Sequence, residues 1–368
     1  MPPHVMYAQV LRPLLFLLPP AAAHELVMWA LGVVEHATPL RALLRHTVVP
    51  PADDRLVVHV MGLTFPSPVG LAAGFDKNGL RPRALAALGF GHIELGTVTA
   101  QPQGANPKPN LFRCPADRAL VNRLGFPNEG ASRVAERVRR ARPAVGVPVG
   151  ISIGKSRAVA VTDLDAVVAD YLTSFDAVRE AADFVVVNVS SPNTVGLRSM
   201  QSQRHARELL GALARRADGR TPLLVKIAPD LDGSEIDALL GVVEETKIDG
   251  VVATNTTTKR PDVLVTPRPR IAAMGAGGLS GPPVRARALE IVRCVRQRLG
   301  RDAVVVGVGG IERPEDAAAF LRAGANLVQM YTGFVYKGPL AATRVTRGLA
   351  AMLDREKVRS VSELVATE

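Results

Sequence analysis

Three features of the 368-residue sequence predict an α/β protein built as a (β/α)8 TIM barrel with a small N-terminal helical hairpin extension. Short β-rich apolar runs alternate with helical stretches, polar residues gather at the C-terminal ends of those runs, and the chain starts with an apolar, proline-punctuated segment. The runs cover residues 69–75, 92–98, 147–154, 184–190, 222–228, 250–255, 303–309 and 327–332. Helix candidates lie between them at 81–88, 128–142, 164–182, 204–216, 233–245, 283–299 and 314–323. Parallel strands need such crossovers, and eight units are enough to close a barrel. A doubly wound sheet would instead carry Gly-x-Gly-x-x-Gly after its first strand, which residues 70–79 do not spell. Two connections, 99–127 and 256–282, are longer than a helix requires and are expected to cover the active site.

Residues 1–50 hold the run Leu14-Leu15-Phe16-Leu17-Leu18, bracketed by Pro13 and by Pro19-Pro20. It is too short to span a bilayer. Arg12 before it and Ala21 to Ala23 after it resemble a secretory signal, but the prolines break the stretch and an amphipathic segment, 25–34, follows at once. Two short helices with a Pro-Pro corner fit better, either as a membrane-surface anchor or as a lid on the main domain; the apolar character favours the membrane. The expected division is 1–50 hairpin, 51–345 barrel and 346–368 a C-terminal helix or tail.

A hydrophobic content of 47% supports a large core. The net charge of +11 would suit nucleic acid, but aromatic residues are only 4%, too few for base stacking. Arginines in 133–142 and 285–298 recur at helical spacing, as solvated faces do, so no nucleic-acid partner is expected. Cys114 and Cys294 match no redox or metal-ligand spacing, which disfavours a disulfide framework, an iron–sulfur cluster and a bound metal.

A barrel's chemistry lies where its strands end. Those positions carry Asp76 and Lys77, Thr97, Ser152 with Lys155, Asn188 with Ser190 and Ser191, Thr254 with Asn255 and Thr256, and Tyr331 with Thr332. Lys226 sits inside an apolar run, where a lysine is costly without an anionic or electron-rich partner, such as a cofactor. Gly309 and Gly310 after the seventh run, with Tyr331-Thr332-Gly333 after the eighth, suit a phosphate held by backbone N–H groups. Strands also end in polar turns for purely structural reasons, so the whole set carries more weight than any member.

The chain resembles the class 2 dihydroorotate dehydrogenases, the membrane-associated, quinone-linked branch of that flavoenzyme family, from the hairpin to about residue 340. The resemblance rests on residues 70–77 (Gly-Leu-Ala-Ala-Gly-Phe-Asp-Lys), 122–126 (Asn-Arg-Leu-Gly-Phe), 188–194 (Asn-Val-Ser-Ser-Pro-Asn-Thr), 226–230 (Lys-Ile-Ala-Pro-Asp), 253–257 (Ala-Thr-Asn-Thr-Thr) and 277–281 (Gly-Gly-Leu-Ser-Gly). It implies FMN, one per chain, with (S)-dihydroorotate oxidised to orotate in pyrimidine biosynthesis and electrons passed to a respiratory quinone, ubiquinone or menaquinone. It further implies a monomer held peripherally on the cytoplasmic side of the cell membrane. The implied cofactor-binding residues are Ala73, Gly74, Phe75, Asp76, Lys77, Thr97, Ser152, Asn188, Lys226, Thr254, Gly281, Gly310, Tyr331 and Thr332. The implied substrate contacts are Lys77, Asn122, Arg123, Leu124, Gly125, Phe126, Asn188, Asn193, Asn255 and Thr256.

By the same resemblance Ser191 is the base for the C5 proton, while Thr194 and a trapped water are candidates to take the proton onward. A serine there distinguishes class 2 from class 1, which carries cysteine and lacks the N-terminal extension. His24, Arg113 and Tyr331 are candidate quinone contacts; for His24, a helix-end contact with backbone fits nearly as well. Ser152 departs from the usual asparagine, so one flavin contact is lost, bridged by water or taken over by Lys155.

Overall fold

The computed structural model of the chain describes residues 3–365. Two three-residue strands, β1 (Val58–Val60) and β2 (Leu63–Phe65), pair antiparallel around Met61 and Gly62, both at positive φ. That geometry matches the right-handed twist of the flanking strands. The hairpin plugs the N-terminal end of the barrel: fully buried Phe65 lies edge-on to His92 at 5.5 Å and tilted against Phe184 at 6.4 Å.

The barrel strands are β3 (Val69–Leu71), β4 (His92–Val98), β7 (Val149–Ile153), β8 (Phe184–Asn188), β9 (Leu223–Ile227), β10 (Gly250–Ala253), β12 (Val304–Val308) and β13 (Leu327–Met330). They close in chain order, each parallel to its neighbours, with β13 returning to β3. All eight expected runs are therefore strands of one barrel. Seven are shorter than expected, because their last residues already turn into the loops that carry the polar groups. The strands are mainly apolar because both faces are covered, by helices outside and by neighbouring strands within.

The two long connections meet above the barrel's C-terminal end. The first supplies β5 (Leu111–Cys114) and β6 (Ala119–Asn122), the second β11 (Gly278–Ser280), and together they make an antiparallel sheet in the order β11-β6-β5. A further helix, Ala341–Glu356, packs on the helix Pro314–Arg322 and on β3, as the eighth crossover helix would. The expected boundary after residue 345 falls inside it. Its buried face, including Val345, Leu349 and Leu353, is continuous with the barrel core.

The N-terminal segment differs from expectation in two ways. Pro13 does not break the first helix: a π-helical turn, Tyr7–Leu11, leads without interruption into Arg12–Leu17. The widened turn makes room for a residue that lacks an N–H and clashes with the preceding turn. The chain bends at Leu18, which is extended (φ −77°, ψ 149°) as a residue before proline must be. Pro20–His36 then forms a longer helix than 25–34, and an unexpected third helix, Thr38–Val48, follows with proline in its first turn. The segment is fastened to the barrel by polar contacts. Glu35 accepts from the Ala84 N–H at 2.8 Å, Arg81 donates to the Met28 carbonyl at 2.9 Å, and the Tyr7 hydroxyl donates to the Val335 carbonyl at 2.7 Å.

Candidate active site

A cavity of about 1090 Å³, including its open mouth, lies between the strand ends and the β11-β6-β5 sheet. This is the upper end of the range for small-molecule clefts. Of the expected residues, Ala73, Gly74, Lys77, Thr97, Asn122, Leu124, Gly125, Phe126, Asn188, Ser191, Asn193, Lys226, Thr254, Asn255, Thr256, Gly281, Gly310, Tyr331 and Thr332 all line it. They come from seven of the eight barrel strands and the loops that follow them, and the fold gathers them because each lies near or beyond a strand's C-terminal end.

One wall is a network of carboxamides. Asn188 donates to the Thr97 hydroxyl at 2.9 Å, Asn255 to the Ser190 hydroxyl at 3.0 Å, and Asn193 to the Asn122 carbonyl oxygen at 2.9 Å. Asn255 in turn accepts from the Thr256 N–H at 2.7 Å. The amides are tied to one another and to neighbouring hydroxyls, and a carboxamide can both donate and accept toward a ligand. Ser191 stands beside them, buried, its Oγ accepting from the Asn193 N–H at 3.2 Å. Lys77, half-buried, donates to the Gly74 carbonyl at 2.6 Å. Burial lowers its pKa to about 8 against the opposing pull of Asp76, so the amine remains mainly a cation at neutral pH.

The floor holds Lys226, 5% exposed, with its Nζ 3.6 Å from Glu94 Oε1. The sequence alone points to a cofactor as this lysine's anionic partner; the chain itself supplies a carboxylate from β4. Gln329, which lines the cavity, donates to the other Glu94 oxygen at 2.8 Å. Neither Glu94 nor Gln329 stands out in the sequence, because each sits inside an apolar strand, where only Lys226 draws notice. The opposite end is a glycine cradle. A Cβ on Gly281 would meet the Arg118 carbonyl at 2.7 Å, and one on Gly310 the Gly281 carbonyl at 2.9 Å. Backbone approaches this close exclude side chains, so only main-chain atoms line the cavity where these glycines stand.

Several expected residues lie outside the cavity lining. Ser152 is fully buried and shares a hydrogen bond with Thr97 at 2.9 Å; it supports a wall residue and does not form the wall. Lys155 does not take its place, since its amine is occupied by the Ser156 carbonyl at 2.8 Å and by the Val159 carbonyl. Asp76 accepts from the Leu80 and Arg81 N–H groups at 2.9 and 2.7 Å, fixing the loop after β3, and burial raises its pKa. Arg123 spans the loops, donating to the Pro109 carbonyl at 2.9 Å and to the Ala276 carbonyl at 3.0 Å. The Thr194 hydroxyl is buried without a hydrogen-bond partner and is not joined to Ser191.

Phe75 and His24 form an aromatic seam between the barrel and the N-terminal helices. Their rings meet edge to face at 5.1 Å, and Phe75 also packs on Tyr331 at 5.9 Å and Phe334 at 5.0 Å. Burial, assisted by Lys77, lowers the His24 pKa to about 4, so the imidazole is neutral at physiological pH. Arg113 lies at the corner of the N-terminal helices, donating to the Leu18 carbonyl at 2.7 Å and stacking 4.3 Å over the Phe16 ring. It satisfies helix-end carbonyls, and of the three expected quinone contacts only Tyr331 reaches the cavity wall.

Comparison with known proteins agrees with this geometry. The dihydroorotate dehydrogenase family model matches residues 55–353. A dihydroorotate dehydrogenase (quinone) from Thermobifida fusca is 52% identical over 338 residues, covering 90% of this chain and 89% of the relative. One from Halobacterium salinarum is 48% identical, covering 98% and 99%. Among solved structures, the DHODH of Eimeria tenella in complex with ferulenol superposes with a TM-score of 0.82 at 33% identity, covering 94% of this chain and 95% of that one. The chain belongs to the dihydroorotate dehydrogenase family, whose members depend on a flavin.

Proposed function

We propose that the chain oxidises (S)-dihydroorotate to orotate at a bound FMN and passes the electrons to a membrane quinone, as a step of pyrimidine biosynthesis. The observation that carries this reading is one cavity that joins a serine and four carboxamides to a lysine-bearing floor and a glycine cradle. The residues present fit FMN. The Lys226 ammonium makes no hydrogen bond within the described residues, the glycine cradle suits a phosphate, and Thr97, Asn188 and Thr254 offer polar groups between them. When bound, FMN supplies the two-electron acceptor for the hydride that leaves substrate C6.

The protein's own groups do the rest. Asn122, Asn188, Asn193 and Asn255 recognise a flat, amide-rich ring by donating and accepting at once, and Lys77 offsets its carboxylate. Ser191 takes the C5 proton, held in place by the Asn193 N–H. Onward relay to Thr194 needs a rearrangement of their loop, because the Thr194 hydroxyl has no partner as it stands.

The N-terminal helices give the quinone its route. Leu14, Leu17, Trp29 and Leu43 are 57%, 81%, 68% and 58% exposed, an apolar surface suited to lipid. Among the described residues no helix is long and apolar enough to cross a membrane, so the reading is peripheral attachment, on the cytoplasmic side of the cell membrane. The reading takes one FMN per chain, in a monomer. The test is to identify the flavin released from the purified protein, then to reduce the holoenzyme anaerobically with dihydroorotate and reoxidise it with quinone. Release of a different flavin, or failure of either half-reaction, contradicts the reading.

A further inference from the structure

The barrel interior can be read strand by strand from the alternation of side chains. Inward positions include Gly70 on β3 and Ala72 just after it, His92 and Glu94 on β4, and Gly150 and Ser152 on β7. Phe184, Val186 and Asn188 follow on β8, Leu224 and Lys226 on β9, and Val252 on β10. Val304, Val306 and Val308 on β12, with Leu327 and Gln329 on β13, complete the set. The assignment is anchored by the cavity-lining residues Ala72, Asn188, Lys226, Val308 and Gln329, and by Gly307, whose Cβ would meet Phe320 on the outer helix layer. Only three of these inward side chains titrate: His92, Glu94 and Lys226. His92 lies deeper, against Phe65 and Phe184.

Glu94 is fully buried, and its two oxygens have separate tasks. Oε2 accepts from Gln329 at 2.8 Å, while Oε1 faces Lys226 Nζ at 3.6 Å and has no hydrogen-bond partner. No other carboxylate pairs with Lys226 among the described residues. A buried ion pair is a weak source of stability, since apolar residues of similar volume commonly do as well. Here two of the three members, Lys226 and Gln329, open onto the cavity, so the arrangement faces the ligand.

We propose that Glu94, braced by Gln329, is a positioning residue for Lys226, holding its ammonium directed into the flavin-binding cavity. Without this carboxylate the Lys226 side chain loses its one ion-pair partner among the described residues, and its ammonium is no longer held where it offsets the electrons gained by the flavin. Glu94 touches neither substrate nor flavin; it acts through Lys226. The inference rests on the flavoenzyme reading above.

A double-mutant cycle on the holoenzyme tests it, with the flavin midpoint potential as the readout. Glu94→Gln preserves size and removes the charge. Expected is a loss of about tenfold in the preference for reduced over oxidised flavin, a midpoint lower by about 30 mV for a two-electron couple. In a Lys226→Met background the same substitution should add no further shift. Gln329→Leu, which removes the brace, should give a smaller shift that likewise vanishes in the Lys226→Met background, and it tests the same coupling if Glu94→Gln does not fold. A shift of equal size in both backgrounds, or none in the wild-type background, overturns the proposal. A wild-type protein without flavin would sink the broader reading instead, so the two failures are distinguishable.

Discussion

The barrel mouth and the N-terminal helices handle polarity in opposite ways. Around the cavity, polar side chains are buried or half-buried and cross-linked: Asn188 to Thr97, Asn255 to Ser190, Asn193 to Asn122, Glu94 to Gln329. On the helices, large apolar side chains face outward, Leu17 at 81% and Trp29 at 68% exposure. Cross-linked amides are held in fixed directions, which suits recognition of a small polar ring and placement of a base. Exposed apolar groups have no such direction and suit a surface whose only requirement is to leave water. The difference separates substrate chemistry, assigned to the barrel, from the route of the second substrate, assigned to the helices. The aromatic seam of His24, Phe75 and Tyr331 is where the two regions touch.

The contrast can be broken at several points. Ser191→Ala carries the largest expected effect: flavin reduction by dihydroorotate slows by roughly 10²–10⁴-fold, as for loss of a positioned base, while orotate binding is kept. Stopped-flow absorbance measures it, and near-normal reduction would remove Ser191 from its role. Lys77→Met should weaken orotate binding by roughly 10–100-fold, the value of a charge-assisted hydrogen bond. The same cation predicts a pH dependence. Its pKa is lowered to about 8 by burial, so the charge is present below that pH and lost above it. Orotate affinity, titrated through the flavin spectrum, should therefore fall as pH rises through about 8 in the wild type and stay flat in Lys77→Met. Equal slopes in both would assign the titration to another group.

Ser152→Ala marks the small end of the series. It removes one buried hydrogen bond to Thr97 and should cost about 1 kcal/mol of stability, with flavin affinity within about twofold of wild type. A large loss of flavin would restore Ser152 to the cavity wall.

Much of this architecture is legible in the sequence because a parallel barrel writes itself as a repeat. Eight apolar runs mark the strands, and the polar residues near the ends of most of them mark the cavity, as Lys77, Thr97, Asn188 and Asn255 illustrate. What the sequence hides depends on side-chain direction or on distant contacts. Ser152 lies at a strand end yet points to Thr97, and Asp76 follows a strand yet turns to cap Leu80 and Arg81. Glu94 and Gln329 lie within apolar strands, and only closure of the barrel brings them to Lys226. The first helix turns at the expected Pro-Pro corner but is not broken at Pro13, which counts as a breaker in a one-dimensional reading, because the π turn before it absorbs the proline. The β1–β2 plug has no sequence signature because three-residue strands leave too little alternation to detect.

The separation of the two regions is tested most directly by a Leu17→Ser, Trp29→Ser double variant assayed in both half-reactions on vesicles containing a long-chain quinone. The two side chains contribute on the order of 2 kcal/mol each when taken out of water, so vesicle association should weaken by about 100-fold or more. The predicted result is flavin reduction by dihydroorotate within about twofold of wild type, with reoxidation by vesicle quinone slowed in step with the lost association. Equal slowing of both half-reactions, or unimpaired reoxidation from the vesicles, would contradict the assignment of chemistry to the barrel and of quinone access to the helices.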